Sequence, residues 1–182
     1  GEGDYLDQFG SRGIRELEFL SPRGVAVDRF GDIHVADSEN HRFTKLNAGG
    51  GFLLWGGGQG SGDAQFNHPS GIAVDASGNI YIADTDNHRI QKLSSSGAFI
   101  AKWGSSGTGP GQFNAPAAIA VDTSRYVYVA DSKNNRVQKF NENGVFMTQW
   151  GGAGTSPGQF YEPRGVAVDA AGHVYVSDYS NH

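Results

Sequence analysis

GIAVDASGNIYIADTDNHRIQKL, residues 71–93, contains the elements from which the chain is built. Ile72-Ala73-Val74 and Ile80-Tyr81-Ile82-Ala83 are short, continuous apolar runs rich in β-branched and aromatic residues, the composition of strands covered on both faces. Between them, Asp75-Ala76-Ser77-Gly78 has the chemistry of a tight turn: the carboxylate accepts from amides further on, and glycine supplies the position with φ > 0. A polar corner follows at Asp84-Thr85-Asp86-Asn87-His88. Arg89-Ile90-Gln91-Lys92-Leu93, which mixes polar and apolar residues, reads as a third strand farther from the centre. Phe99-Ile100-Ala101-Lys102-Trp103 reads as a fourth, with Phe99, Ala101 and Trp103 on one face by alternation. The unit is a four-stranded antiparallel sheet.

The unit recurs with a step of 47 residues. Turn aspartates stand at Asp28, Asp75, Asp122 and Asp169, corner aspartates at Asp37, Asp84, Asp131 and Asp178, and prolines at Pro22, Pro69, Pro116 and Pro163. Phe19, Phe66, Phe113 and Phe160 keep the same step. A period of this length with four strands per unit predicts an all-β fold, a β-propeller of four-stranded antiparallel blades. No helical periodicity competes with it. Residues 1–182 form one domain of this kind: complete blades over 19–56, 66–104 and 113–151, a partial blade over 160–182, and the last strand of a blade within residues 1–10. That strand, residues 4–10, puts Phe9 in the place of Trp103. The C-terminal unit lacks its third strand, so the expectation is an open arc of a longer propeller. Six blades at this period need roughly 280 residues. The alternative is a short chain that closes by pairing with another copy. An arc with uncovered blade faces and an orphan strand at Tyr5, Leu6 and Phe9 is expected to self-associate.

Four departures from the repeat carry expectations of their own. Ala117-Ala118 replaces the usual x-Gly. Arg125 stands where other turns have Gly31, Gly78 and Gly172, and must take φ > 0 or change the turn type. Phe52-Leu53-Leu54-Trp55 reads as one residue short, predicting a bulge or a shifted register. Asn135 stands where His41 and His88 stand, which makes the histidine dispensable to the fold.

Asn87-His88-Arg89-Ile90, Asn40-His41-Arg42-Phe43 and the terminal Asn181-His182, within the frame P-x-G-[IV]-A-V-D-x-x-G-x-[IV]-[YH]-[IV]-A-D, resemble the Asn-His-Leu (NHL) repeat over essentially the whole chain. The resemblance implies a propeller, usually of six blades, that acts as a binding platform. One branch of the family, the peptidyl-amidoglycolate lyases, holds zinc with histidines just after the blade proline. Here those places carry Arg23, Ser70, Ala117 and Arg164, so that site does not carry over; an alternative places a lyase metal site in blades outside this chain. Another branch, attached to tripartite-motif ubiquitin ligases, binds RNA through a basic face. Secreted or sensor-attached bacterial modules resemble the acidic, Gly/Ser/Asn-rich composition best, which favours an extracellular or periplasmic setting.

Composition narrows the function classes further. The net charge is −5 with no basic run, which weighs against a general phosphate-backbone binder and so against nucleic acid. There is no cysteine, hence no disulfide and no thiolate metal site. No apolar run reaches the length of a membrane span. The corner sets Asp37-Asn40-His41-Arg42, Asp84-Asn87-His88-Arg89, Asp131-Asn134-Arg136 and Asp178-Asn181-His182 recur in every unit and are read as blade structure rather than as catalytic or metal-binding groups. The histidines His34, His68 and His173 read as surface or packing residues.

Positions that vary inside the fixed frame are the better candidates for specificity. Arg23, Ser70, Ala117 and Arg164 follow the blade prolines at the mouth of the central channel. Glu39, Asp86, Lys133 and Tyr179 follow the corner aspartates at the same end. The reading is a non-catalytic module, with no cofactor, that binds a protein, peptide or glycan on this loop face.

Overall fold

The computed structural model describes residues 7–181. A short parallel pair, β1 (Ser11–Arg12) and β2 (Glu18–Phe19), precedes three four-stranded antiparallel sheets and a final two-stranded one. The first sheet is β3 (Pro22–Val27), β4 (Ile33–Asp37), β5 (Arg42–Leu46) and β6 (Phe52–Gly57). The second is β7 (Pro69–Val74), β8 (Ile80–Asp84), β9 (Arg89–Leu93) and β10 (Phe99–Trp103). The third is β11 (Pro116–Val121), β12 (Val127–Asp131), β13 (Arg136–Phe140) and β14 (Phe146–Gly151), and β15 (Pro163–Val168) pairs with β16 (Val174–Asp178). In each sheet consecutive strands are neighbours, and β3, β7, β11 and β15 lie side by side. The fold is a β-propeller. Among the described residues there is no α-helix, and none is long and apolar enough to cross a membrane.

The hairpin turns form for the reason the sequence suggests. Asp75 Oδ1 accepts the amides of Ser77 (2.8 Å) and Asn79 (2.9 Å), and Gly78 has φ +85°. Arg125 does take the left-handed conformation, at φ +65°, and its guanidinium is anchored on Glu142 at 2.8 Å.

The core lies between blades. One cluster joins the first and second blades through Phe43, Phe66, Ile72, Ile80, Ile82 and Leu93; the other joins the second and third through Tyr81, Ile90, Phe113, Ile119, Val129 and Phe140. β7 approaches β11 closely enough to exclude a side chain at Gly71, where a Cβ would lie 2.8 Å from the Cα of Ala118. The third strand is more enclosed than its mixed composition suggests. All five residues of β9 are buried, because their polar ends are engaged: Gln91 Nε2 donates to the Gln65 carbonyl (2.6 Å), and Lys92 Nζ donates to the Glu142 carbonyl (3.1 Å).

The expectation of a shortened fourth strand at Phe52–Trp55 needs correction. A register shift occurs at the start of the fourth strand in all three sheets, and Phe52, Phe99 and Phe146 begin them at the same step. The difference lies at the other end. Ile90 pairs with Trp103 and Val137 with Trp150, whereas Phe43 pairs with Gly56. The indole has moved one residue earlier, to Trp55, which turns outward beneath the Arg42 guanidinium (4.3 Å). The Phe43 ring fills the inner place instead.

The orphan strand expected over residues 4–10 falls partly outside the described residues, as does His182. Residues 7–10 form no strand. Phe9 nevertheless abuts Gly50 as Trp103 abuts Gly144.

Candidate functional site

The corner residues form a clamp that explains their repetition. Asp84 is fully buried; its Oδ1 accepts the amide of Asn67 (2.7 Å), and its Oδ2 accepts Arg89 Nε (2.7 Å). Arg89 then donates to the carbonyls of Ser61, Gly62 and Gln65, tying the corner to the loop from the preceding blade. Asn87 donates to Asp84 and to the Gly60 carbonyl. Asp37 with Arg42 and Asp131 with Arg136 repeat the arrangement at 2.9 and 2.7 Å. A buried ion pair with its remaining donors and acceptors satisfied is a structural element, and removing one partner costs about 3–5 kcal/mol.

The histidine of the signature also joins blades. His41 and His88 take φ +52° and +53°, and their Nδ1 atoms accept the amides of His68 and Ala115, both at 3.1 Å. Asn135 does the same through Oδ1, accepting the amide of Glu162 at 2.9 Å with φ +55°. Asparagine and histidine both tolerate the left-handed region and both offer an acceptor one bond from the ring or amide carbon, so the substitution preserves the joint.

At this end the starts of β3, β7, β11 and β15 surround a cavity of about 540 Å³. Five of the sequence candidates line it: Arg23, Ser70, Ala117, Lys133 and Arg164. Thr85, Ala115 and Ser132 complete the wall. Two of the hydroxyls are engaged in joining blades: Ser70 Oγ donates to the Ala117 carbonyl (2.6 Å) and Thr85 Oγ1 to the Pro116 carbonyl (2.9 Å). The cationic groups of Arg23, Lys133 and Arg164, with the Ser132 hydroxyl, supply the rest of the polar chemistry of the cavity.

The remaining candidates lie apart from that wall. Tyr179 supports it from behind, with the Arg164 guanidinium 3.7 Å above its ring. Glu39 and Asp86 gather around His68, whose Nδ1 lies 2.7 Å from Asp86 and whose Nε2 lies 3.7 Å from Glu39. The His41 ring meets His68 edge-on at 4.5 Å. Burial, followed by the neighbouring charge of His68, holds the His41 pKa below its ordinary 6.5. Of the other two histidines, His34 is fully buried against Asp28 (3.2 Å) and His173 is exposed against Asp169 (2.9 Å), both at the opposite end.

Sequence reasoning missed Glu162. Its carboxylate accepts from Lys133 Nζ and from Arg164 (3.1 Å), and these two bonds hold its pKa below the usual value. The position before the blade proline carries Ser21, His68, Ala115 and Glu162, so its variability was the available signal. Among the described residues no group of three or more His, Asp or Glu is arranged to hold a metal ion.

A family model described as NHL repeat matches residues 19–46, 66–93, 113–140 and 160–182. A stretch of 48 residues is 46% identical to the B-box type zinc finger protein ncl-1 of Caenorhabditis elegans, covering 26% of this chain and 6% of that protein. Among solved structures, virginiamycin B lyase from Staphylococcus aureus, in a catalytically inactive form with quinupristin, aligns over 88% of this chain and 50% of its own with TM-score 0.65 and 16% identity. A chain of the nidogen/laminin complex aligns over 93% of this chain and 65% of its own, with TM-score 0.68 and 18% identity. The chain thus spans half to two-thirds of these structures and a small fraction of ncl-1, and the structural likenesses show the fold. With the family model matching more than half of its length, in register with the clamp and the corner joint, the chain belongs to the NHL-repeat family of β-propellers.

Proposed function

We propose that this chain is a non-catalytic binding module whose ligand, a protein, peptide or glycan, sits over the cavity at the loop end. The observation that supports this most is the convergence of Arg23, Ser70, Ala117, Lys133 and Arg164, positions that vary within an otherwise fixed frame, on one concave surface. The chemistry of the wall supports a role without catalysis. Ser70 and Thr85 have carbonyls as their hydrogen-bond acceptors, and among the described residues no histidine lines the cavity to act as a base for them or for Ser132. A protein ligand also fits the propeller of the nidogen/laminin complex, a protein–protein assembly on a similar fold.

The test is selection of ligands from a displayed peptide library, followed by competition with two variants. Ala117→Phe fills the cavity, and Ser77→Phe alters an exposed turn at the opposite end. Selected ligands are expected to lose affinity for the first variant and keep it for the second. The reverse pattern would move the binding face away from the loops. Stoichiometric zinc retained through dialysis, with lyase activity lost on chelation, would replace the binding reading with an enzymatic one.

A further inference from the structure

We propose that the ligand of this cavity is an acidic segment of a partner protein, and that Glu162 occupies the place of one of its carboxylates in the free chain. The inference rests on the loop-face reading above and adds to it the chemistry of the ligand and a residue that sets affinity by competition.

The charge distribution is the starting point. A chain of net charge −5 places three cations, Arg23, Lys133 and Arg164, around one cavity. Arg23 on the first blade and Arg164 on the fourth occupy equivalent positions, and the two equivalent positions between them carry the small residues Ser70 and Ala117. The result is a hollow with a low floor and a guanidinium at either side.

Glu162 reports what this hollow accepts. Its carboxylate bridges Lys133 from the third blade and Arg164 from the fourth, so two cations from different blades converge at the spacing of one carboxylate. The Arg164 guanidinium rests 3.7 Å from the centre of the Tyr179 ring, and the Asn135 joint holds the Glu162 backbone, which has φ +51°. Arg23 has no ion-pair partner among the described residues. The cavity thus contains one satisfied carboxylate place and one open cation.

The ligand's negative charge must be local. Glu39 and Asp86 stand at the same end around His68, and the overall charge repels an extended polyanion. A carboxylate or two on a peptide meets Arg23 and then displaces Glu162 from Lys133 and Arg164. A phosphodiester backbone would carry charge out over the acidic rim.

Fluorescence anisotropy at low salt tests this with a fluorescein-labelled Gly-Ser octapeptide carrying two adjacent glutamates, compared with the same peptide without glutamate and with an oligouridylate of equal length. Glu162→Gln keeps the shape and the backbone joint while releasing both cations, and is expected to tighten binding of the diglutamate peptide about threefold. Arg23→Gln is expected to weaken it by a similar factor, and added salt to erase both effects. Asp63→Asn, a surface acid paired with Lys102 away from the cavity, controls for net charge and is expected to change little. No gain from Glu162→Gln beyond that of Asp63→Asn would overturn the competitive role. Tighter binding of oligouridylate than of the diglutamate peptide would overturn the acidic segment in favour of a phosphate ligand. If the diglutamate peptide fails while library-selected ligands still depend on Ala117, this inference falls and the loop-face reading stands.

Discussion

The single histidine that names the repeat acts here as a hydrogen-bond acceptor. His41 can accept the His68 amide only while Nδ1 is unprotonated; a proton there would set two donors against each other. Its pKa lies below 6.5 in the folded chain, from burial first and then the charge of His68. The unfolded chain therefore binds more protons than the folded one between the folded value and about 6.5, and stability increases with pH across that window. The contribution is present above about pH 6.5 and is lost as pH falls through the folded value. Urea midpoints measured at about pH 7.5 and about pH 5 should differ less in His41→Asn than in the parent. His41→Ala should lower stability by about 1–2 kcal/mol at about pH 7.5, because it leaves the His68 amide unpaired, and by less at about pH 5. Equal pH dependence in the parent and in His41→Asn would show that His41 does not titrate in this joint.

At the scale of the strand, one aromatic ring covers the following blade at each joint, but not from the same strand. Phe43 on the third strand lies against Gly97 of the next blade as Trp103 on a fourth strand lies against Gly144, and Phe43 pairs with Gly56 where Ile90 pairs with Trp103 and Val137 with Trp150. A Cβ on Gly56 would stand 2.5 Å from Phe43 Cε1. Gly56→Trp alone should therefore lower stability by about 3 kcal/mol or more through overpacking. Phe43→Val alone should also destabilise, by leaving a void of about 2 kcal/mol. The double variant recreates the Val137–Trp150 pair, and a thermodynamic cycle by urea denaturation should show coupling of about 1–3 kcal/mol. Additive effects would mean that the two positions do not share one space.

The whole molecule joins blades by one repeated face-to-face contact. Ile72 on β7 is 5% exposed beneath the preceding blade, while the equivalent Val25 on β3 is 68% exposed. Tyr81 is fully buried against the following blade, while the equivalent Tyr175 is 59% exposed. The two faces are therefore of complementary type, one built to cover and one to be covered, and a second copy can bring them together head to tail. Sedimentation of the 182-residue chain should show concentration-dependent association, weakened by Val25→Lys. A single monomeric species at all concentrations would show that these faces are stable in water as they are.

Much of this was legible from residues 71–93 and their recurrence along the chain. Strand periodicity, turn chemistry and the 47-residue step are local properties repeated along the chain, so they determined the blades, the turns and the structural role of the Asp–Arg corners. The positions most open to variation, Arg23, Ser70, Ala117, Lys133 and Arg164, were also legible as a group, because the same repeat places them at one end of every blade. Tertiary structure decided what depends on distances between blades. Phe43 takes the inter-blade place that Trp103 takes one blade on, which no spacing along one strand reveals. His68 meets Asp86 and His41 only because two blades adjoin. Glu162, an unremarkable acid before a proline, becomes the partner of Lys133 and Arg164 once the third and fourth blades bring them together. The repeat sets each residue's place within its own blade, whereas charge pairing acts through space, between residues that the periodic frame treats as independent.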